Sequence, residues 1–128
     1  RHGDHREGGG YDAARDLLSL PAASRPTALF VGNNEMAIGA MRAVRDLGLS
    51  IPRDVSVVSF DDSRWAALID PALTVVAQPT YELGRTACEL LISQLGRKRP
   101  QATRQVRLGT ELIVRSSTAA PRGAGGTV

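Results

Sequence analysis

The chain has little of what most enzyme chemistry needs. Its 128 residues include one cysteine and two histidines. Cys88 alone excludes an internal disulfide and a paired-cysteine metal site, and it fits a reducing compartment. With only His2 and His5 beside it, a histidine-based zinc site is not expected, and no metal or cofactor is assigned. Tyr11, Phe30, Phe60, Trp65 and Tyr81 are too few for a platform that stacks single-stranded nucleic acid. No stretch approaches the roughly 20 apolar residues that cross a bilayer, so no membrane association is expected. The first seven residues lack the apolar core of a signal peptide. Despite 13 glycines, no glycine-rich phosphate loop of the P-loop or dinucleotide type occurs.

What is present divides by charge. The formal net charge of +3 is the balance of −3 over residues 1–84 and +6 over residues 85–128. The basic excess centres on Arg97-Lys98-Arg99, Arg104 and Arg107. That run follows a helical segment and has no interleaved aromatics. It reads as a solvated turn whose cations suit a helix C-terminus, rather than as a nucleic-acid surface.

Hydrophobic period gives alternating helices and strands. A short helix opens at Gly10-Tyr11 with Tyr11, Ala14, Leu17 and Leu18 on one face. Thr27 to Val31 is an apolar run that reads as a strand buried on both faces. A helix after Gly32-Asn33-Asn34 carries Ala37, Met41, Val44 and Leu47 inward and ends at Gly48, a natural left-handed cap. Val55 to Phe60 is a second strand, stopped by Asp61-Asp62, and Ser63 is placed to cap a short helix. Leu73 to Ala77 is a third strand. Thr80 is expected to cap the longest helix, with Leu83, Ala87, Leu90, Leu91 and Leu95 at helical spacing and Cys88 inert within its apolar stripe. Gln105 to Leu108 and Glu111 to Val114 are expected to be two closing strands. The expected class is α/β, a mostly parallel sheet flanked by helices.

Two strands end in polar clusters, Asn33-Asn34 and Asp61-Asp62. In parallel α/β sheets, ligands bind at the carboxyl ends of strands. An amide that donates and accepts, beside a carboxylate that accepts, suits a polyhydroxylated molecule. Equally, Asn33 or Asn34 can simply cap its helix and the aspartates can simply turn the chain. Adjacent side chains on extended backbone point in opposite directions, so Asp61 and Asp62 are poorly placed to flank one bond as a catalytic pair. No nucleophile–base arrangement accompanies them. An enzyme is not expected.

Four segments carry a resemblance: Pro26 to Ala40 (PTALFVGNNEMAIGA), Gly48 to Asp62 (GLSIPRDVSVVSFDD), Pro71 to Pro79 (PALTVVAQP) with Leu83-Gly84, and the ending Glu111 to Thr118 (ELIVRSST). Together they resemble the LacI/GalR transcriptional repressors, in order, over roughly residues 3–118. The resemblance implies one subdomain of a type I periplasmic-binding-protein-like fold. In that fold two α/β subdomains close over a sugar, nucleoside or similar effector. It implies ligand contacts at Asn33, at Asp61 and at Gln78. It also implies one at His5, where the family carries an aromatic that stacks on the ligand. A histidine there stacks less well but offers a hydrogen-bonding tip, and its neutral and protonated forms should bind differently. Asn34 stands where many members have Asp, and Ser59 where Gly is usual. Ile38 and Arg42 resemble positions of the family's dimer face, although Ile38 reads equally well as core.

By the same resemblance, residues 1–118 form the C-terminal part of an effector-binding domain, with a disordered tail over 119–128. The helix-turn-helix head and first subdomain are absent, so operator DNA would be reached only through a missing head. The helix from Thr80 would lack its usual cover. It is expected to dock on its own sheet or to be buried in a second copy, with exchange between copies as one route. The functional expectation is a cytoplasmic, homodimeric regulator's effector-sensing part. A fragment of a periplasmic sugar-binding transport protein is the alternative, and the Phe60-Asp61-Asp62 run and the ending argue for the regulator.

Overall fold

A computed structural model describes residues 4–95 and 104–121. The elements run α1 (Glu7–Leu18), β1 (Ala28–Val31), α2 (Asn34–Asp46), β2 (Ser56–Phe60), a 3-10 turn (Arg64–Ala67), β3 (Thr74–Ala77), α3 (Thr80–Gln94) and β4 (Glu111–Ile113). The sheet order is β1-β2-β3-β4. β1 pairs parallel with β2, Val31 opposite Ser59, and β2 pairs parallel with β3, Phe60 opposite Val76. The α/β class and the mostly parallel sheet are therefore as expected. The chain divides into two compact units, Arg1–Ala77 with Leu112–Val128, and Gln78–Glu111.

In the first unit, alternation along β1 decides which residues are covered. Leu29 and Val31 are buried while Ala28 and Phe30 are exposed, Phe30 to 66%. The expectation of burial on both faces fails because the helices cover only the face of β1 that carries Leu29 and Val31. The inner strands are better covered: Val57 and Val75 are fully buried, Val55 and Leu73 just before those strands nearly so, and Val44 of α2 and Leu18 of α1 pack into the same core. Each such side chain contributes roughly 1.5–3 kcal/mol by leaving water.

Two glycines let the helices meet backbone to backbone. A Cβ at Gly39 would sit 2.0 Å from the Glu7 carbonyl oxygen, and one at Gly10 would sit 2.3 Å from that of Met36. Neither position can carry a side chain without separating α1 from α2. This contact runs through the first turn of α1, which begins at Glu7 and not at Gly10-Tyr11 as the apolar spacing suggests. The signal lies in Asp4, whose Oδ1 accepts from Arg6 N at 3.0 Å, and in Glu7, which suits the positive end of a helix.

The ending laces the sheet together. Ser117 is buried, and its Oγ accepts from Thr74 N at 2.8 Å and donates to Val57 O at 2.6 Å, linking β3 to β2. Val57 N donates to Ser117 O, and Ser116 N to Ala72 O. Ala119 N donates to Ser56 Oγ at 3.1 Å. Residues 122–128 lie outside the described residues, as does the basic run at 97–99. Of the two expected closing strands only Glu111–Ile113 forms; residues 105–108 carry no strand pairing.

In the second unit, α3 starts at Thr80 with Pro79 at the cap position and no side-chain cap, so Thr80 is the first helical residue and not the cap. None of its residues is buried. Tyr81, Leu91, Ile92 and Leu95 are each more than 60% exposed, and Cys88 is exposed as well, not sequestered in the apolar stripe. Arg85 instead bridges Glu82 and Glu89 along the surface.

Candidate functional site

The parallel register puts the two polar clusters at one edge. Asn33 lies two residues beyond Val31 and Asp61 two beyond Ser59, and Val31 and Ser59 are partners in adjacent parallel strands. Both clusters therefore leave the sheet at its carboxyl side. Ser59 ties them together, since its buried hydroxyl donates to Phe60 O at 3.0 Å and lies 3.4 Å from Asn33 O. A glycine in that place would have no such bridge.

Asn33 has two tasks. Its backbone is extended at the cap of α2, and Oδ1 accepts from Met36 N at 2.8 Å. The capping alternative is thus realised. The other end of the same amide remains available to a partner. Nδ2 donates to the main-chain oxygen of His5 at 3.2 Å and lies 3.4 Å from His5 Nδ1. Two of the expected site residues, 28 positions apart, are thereby brought into contact.

His5 and Asp61 share an unusual backbone. Among the described residues they are the two non-glycine positions in the left-handed region, with φ of 62° and 75°. An L side chain there costs roughly 1–2 kcal/mol, and such conformations persist only where surrounding contacts enforce them. For Asp61 one such contact is its N–H, which donates to Val76 O at 2.9 Å.

Asp62 turns out to have a different partner from Asp61. Arg115 Nη1 and Nη2 donate to its two carboxylate oxygens at 2.9 and 2.8 Å, and Nη1 also donates to Leu73 O at 2.9 Å. The hydrogen bond to Asp62 raises the Arg115 pKa above the ordinary arginine value, with burial acting against it and the carboxylate charge adding to it. Arg115 lies in the ending ELIVRSST that carries the resemblance, but neither period nor motif gave it a role at the site. Its only sequence signal was an arginine among β-branched and serine residues at the chain's ending.

Asn34 Oδ1 is buried and has no hydrogen-bond partner among the described residues. That suits an amide. An aspartate in its place would bury part of a charge without a donor, at a much larger cost. Gln78 is half-buried, one residue past β3, and belongs to the second unit. Among the described residues no group of three or more His, Cys, Asp or Glu side chains could hold a metal ion, and no helix is long and apolar enough to cross a membrane.

Two grooves lie beside α2. One of about 510 Å³ between α1, β1 and α2 reaches His5 but neither Asn33 nor Asp61, and its walls are Leu29, Val31, Met36 and Phe30. Another of about 740 Å³ runs between α2 and the segment after the 3-10 turn. Ile38, Arg42, Trp65 and Ile69 line it. Ile38 is half-buried there, while exposed Arg42 pairs with Glu7 and lies 5.8 Å from the Tyr11 ring centre.

Residues 1–118 match the periplasmic binding protein-like domain family. The HTH-type transcriptional repressor PurR of Escherichia coli is 39% identical over 117 residues, covering 91% of this chain and 33% of the relative. The chain thus spans about a third of the curated relatives it matches. A LacI family transcriptional regulator from Enterococcus faecium with bound ribose superposes with a TM-score of 0.73 at 35% identity, over 90% of this chain and 41% of that one. A dimeric Lac repressor gives 0.74 at 34% identity, over 93% and 42%. With the sheet and these likenesses in agreement, the chain belongs to the periplasmic binding protein-like domain family, in the effector-binding form of the LacI/GalR regulators.

Proposed function

We propose that this chain is the effector-sensing and self-associating part of a LacI-type DNA-binding transcriptional regulator acting in the cytoplasm. The effector is a small polyhydroxylated molecule, a sugar or a nucleoside. Asn33 and Asp61 are its principal polar contacts, and His5 closes one side. Operator DNA would be read by a helix-turn-helix outside this sequence. The observation that carries the reading is the shared edge: an amide tied to His5 and a carboxylate on a left-handed residue, at the ends of adjacent parallel strands. The ribose held by the Enterococcus faecium regulator supports a sugar-like effector.

The site works by binding rather than by catalysis. Asp62, the second member of any carboxylate pair, is committed to Arg115. Self-association uses the face around Ile38 and Arg42, and the dimeric Lac repressor supports a homodimer. Nothing in the likenesses favours a transport protein.

The test is calorimetry of the full-length protein against a panel of sugars and nucleosides, repeated with Asp61→Asn. Losing a charged acceptor for ligand hydroxyls should cost on the order of 2 kcal/mol, a weakening of at least about tenfold. Unchanged affinity in the variant, or no binding anywhere in the panel, would count against the assignment.

A further inference from the structure

We propose that Arg115 is a positioning residue for Asp61: by gripping Asp62 it holds the turn after β2 in the conformation that presents the Asp61 carboxylate at the sheet's edge. The proposal rests on the reading of Asp61 as an effector contact and adds a residue that touches no effector itself.

Asp61 needs holding. Its φ of 75° is a conformation that an L residue leaves unless its neighbours prevent it. On one side its own N–H is bonded to Val76 O of β3. On the other side, the next residue's carboxylate receives both arms of the Arg115 guanidinium, at 2.9 and 2.8 Å. Two parallel bonds fix the orientation of the carboxylate as well as its distance, which a single-point cation cannot do. Among the described residues this is the one ion pair in which both side chains are more than two-thirds buried, at 17% and 28% exposure. Side-chain contacts shielded in this way are far less screened than those at the surface.

The anchor is itself fixed. Arg115 N donates to Thr74 Oγ1 at 2.9 Å, and Nη1 reaches Leu73 O at the start of β3. Two residues on, buried Ser117 is stitched to both β2 and β3. The guanidinium is therefore tethered to the sheet on which Asp61 must be oriented. The link connects the ending of the chain to a turn 53 residues earlier.

Hydrogen–deuterium exchange of the full-length protein tests this without an effector. Three single variants are compared: Arg115→Met, which keeps the aliphatic stem, Arg115→Lys, which keeps the charge, and Asp62→Asn. The double variant Arg115→Met/Asp62→Asn completes the cycle. The Asp61 amide is expected to exchange at least about tenfold faster in Arg115→Met and in Asp62→Asn, and no faster still in the double variant. Lysine should restore only part of the protection. The Leu47 amide, bonded to Ala43 in α2, should stay within about twofold throughout. Protection of Asp61 kept within about twofold in Arg115→Met would overturn the proposal. So would a parallel loss at Leu47, since the arginine would then hold the fold and not the turn. A loosened turn combined with undiminished binding by Asp61→Asn would instead reject the effector reading and leave the clamp standing.

Discussion

The side-chain amide of Asn33 caps α2 with its oxygen and holds the His5 carbonyl with its nitrogen. One side chain thus joins the start of α2 to the segment before α1, at the edge where Asp61 also emerges. The two ends of the amide can be separated by substitution. Asn33→Asp keeps an oxygen for Met36 N but loses the donor to His5. It should unfold within about 0.5 kcal/mol of wild type in urea, yet bind effector markedly more weakly. Asn33→Ala loses both and should unfold about 1 kcal/mol more easily. Equal stability of the alanine variant and wild type would show that the cap contributes nothing.

Close approach of α1 and α2 makes a second contrast. Gly39→Ala forces a methyl against the Glu7 carbonyl and should destabilise by roughly 1–3 kcal/mol. Gly84→Ala in α3 meets nothing within 4 Å and should stabilise by roughly 0.5–1 kcal/mol through helix propensity. Opposite signs in denaturant midpoint are the expected result, and a neutral Gly39→Ala would contradict the packing.

The Arg115–Asp62 pair predicts a flat pH response on the alkaline side. The folded pKa of Arg115 is raised, first by its hydrogen bond to Asp62. A cation shifted this way contributes stability in full below its unfolded pKa and loses it only as pH rises through the folded one. The stability difference between wild type and Arg115→Met should therefore hold constant from about pH 7 to about pH 10. Urea titrations at several pH values measure it, and a difference that vanished by the upper limit would mean the guanidinium does not hold the carboxylate.

Self-association can be read from one substitution. Leu68 is 83% exposed, close in sequence to Ile69, which lines the groove shared with Ile38 and Arg42. Leu68→Asp adds a charge one residue from that groove and should shift the proposed dimer of the full-length protein to monomer in sedimentation, with effector affinity per site retained. A dimer unaffected by Leu68→Asp and by Ile38→Asp would place the interface elsewhere.

Local chemistry was enough for much of this. The runs Ala28–Val31, Ser56–Phe60 and Thr74–Ala77 are strands because β-branched and apolar residues fill them. Gly48, at φ 67°, ends its helix as its lack of a side chain allows. The two polar clusters follow their strands directly in sequence, so the parallel arrangement alone brings Asn33 and Asp61 to one edge.

Other features depend on partners far away in the chain. Apolar content could not say that Phe30 faces outward, because exposure depends on which face of the sheet the helices cover. Nor could it say that Glu7 opens α1, since that turn is held by the backbone approach at Gly39. The division of labour between Asp61 and Asp62 is invisible in two identical letters. Only folding, which carries Arg115 across 53 residues to one carboxylate, makes the two aspartates different. A residue's type sets which bonds it can form, and the three-dimensional path of the chain decides which partner comes within reach.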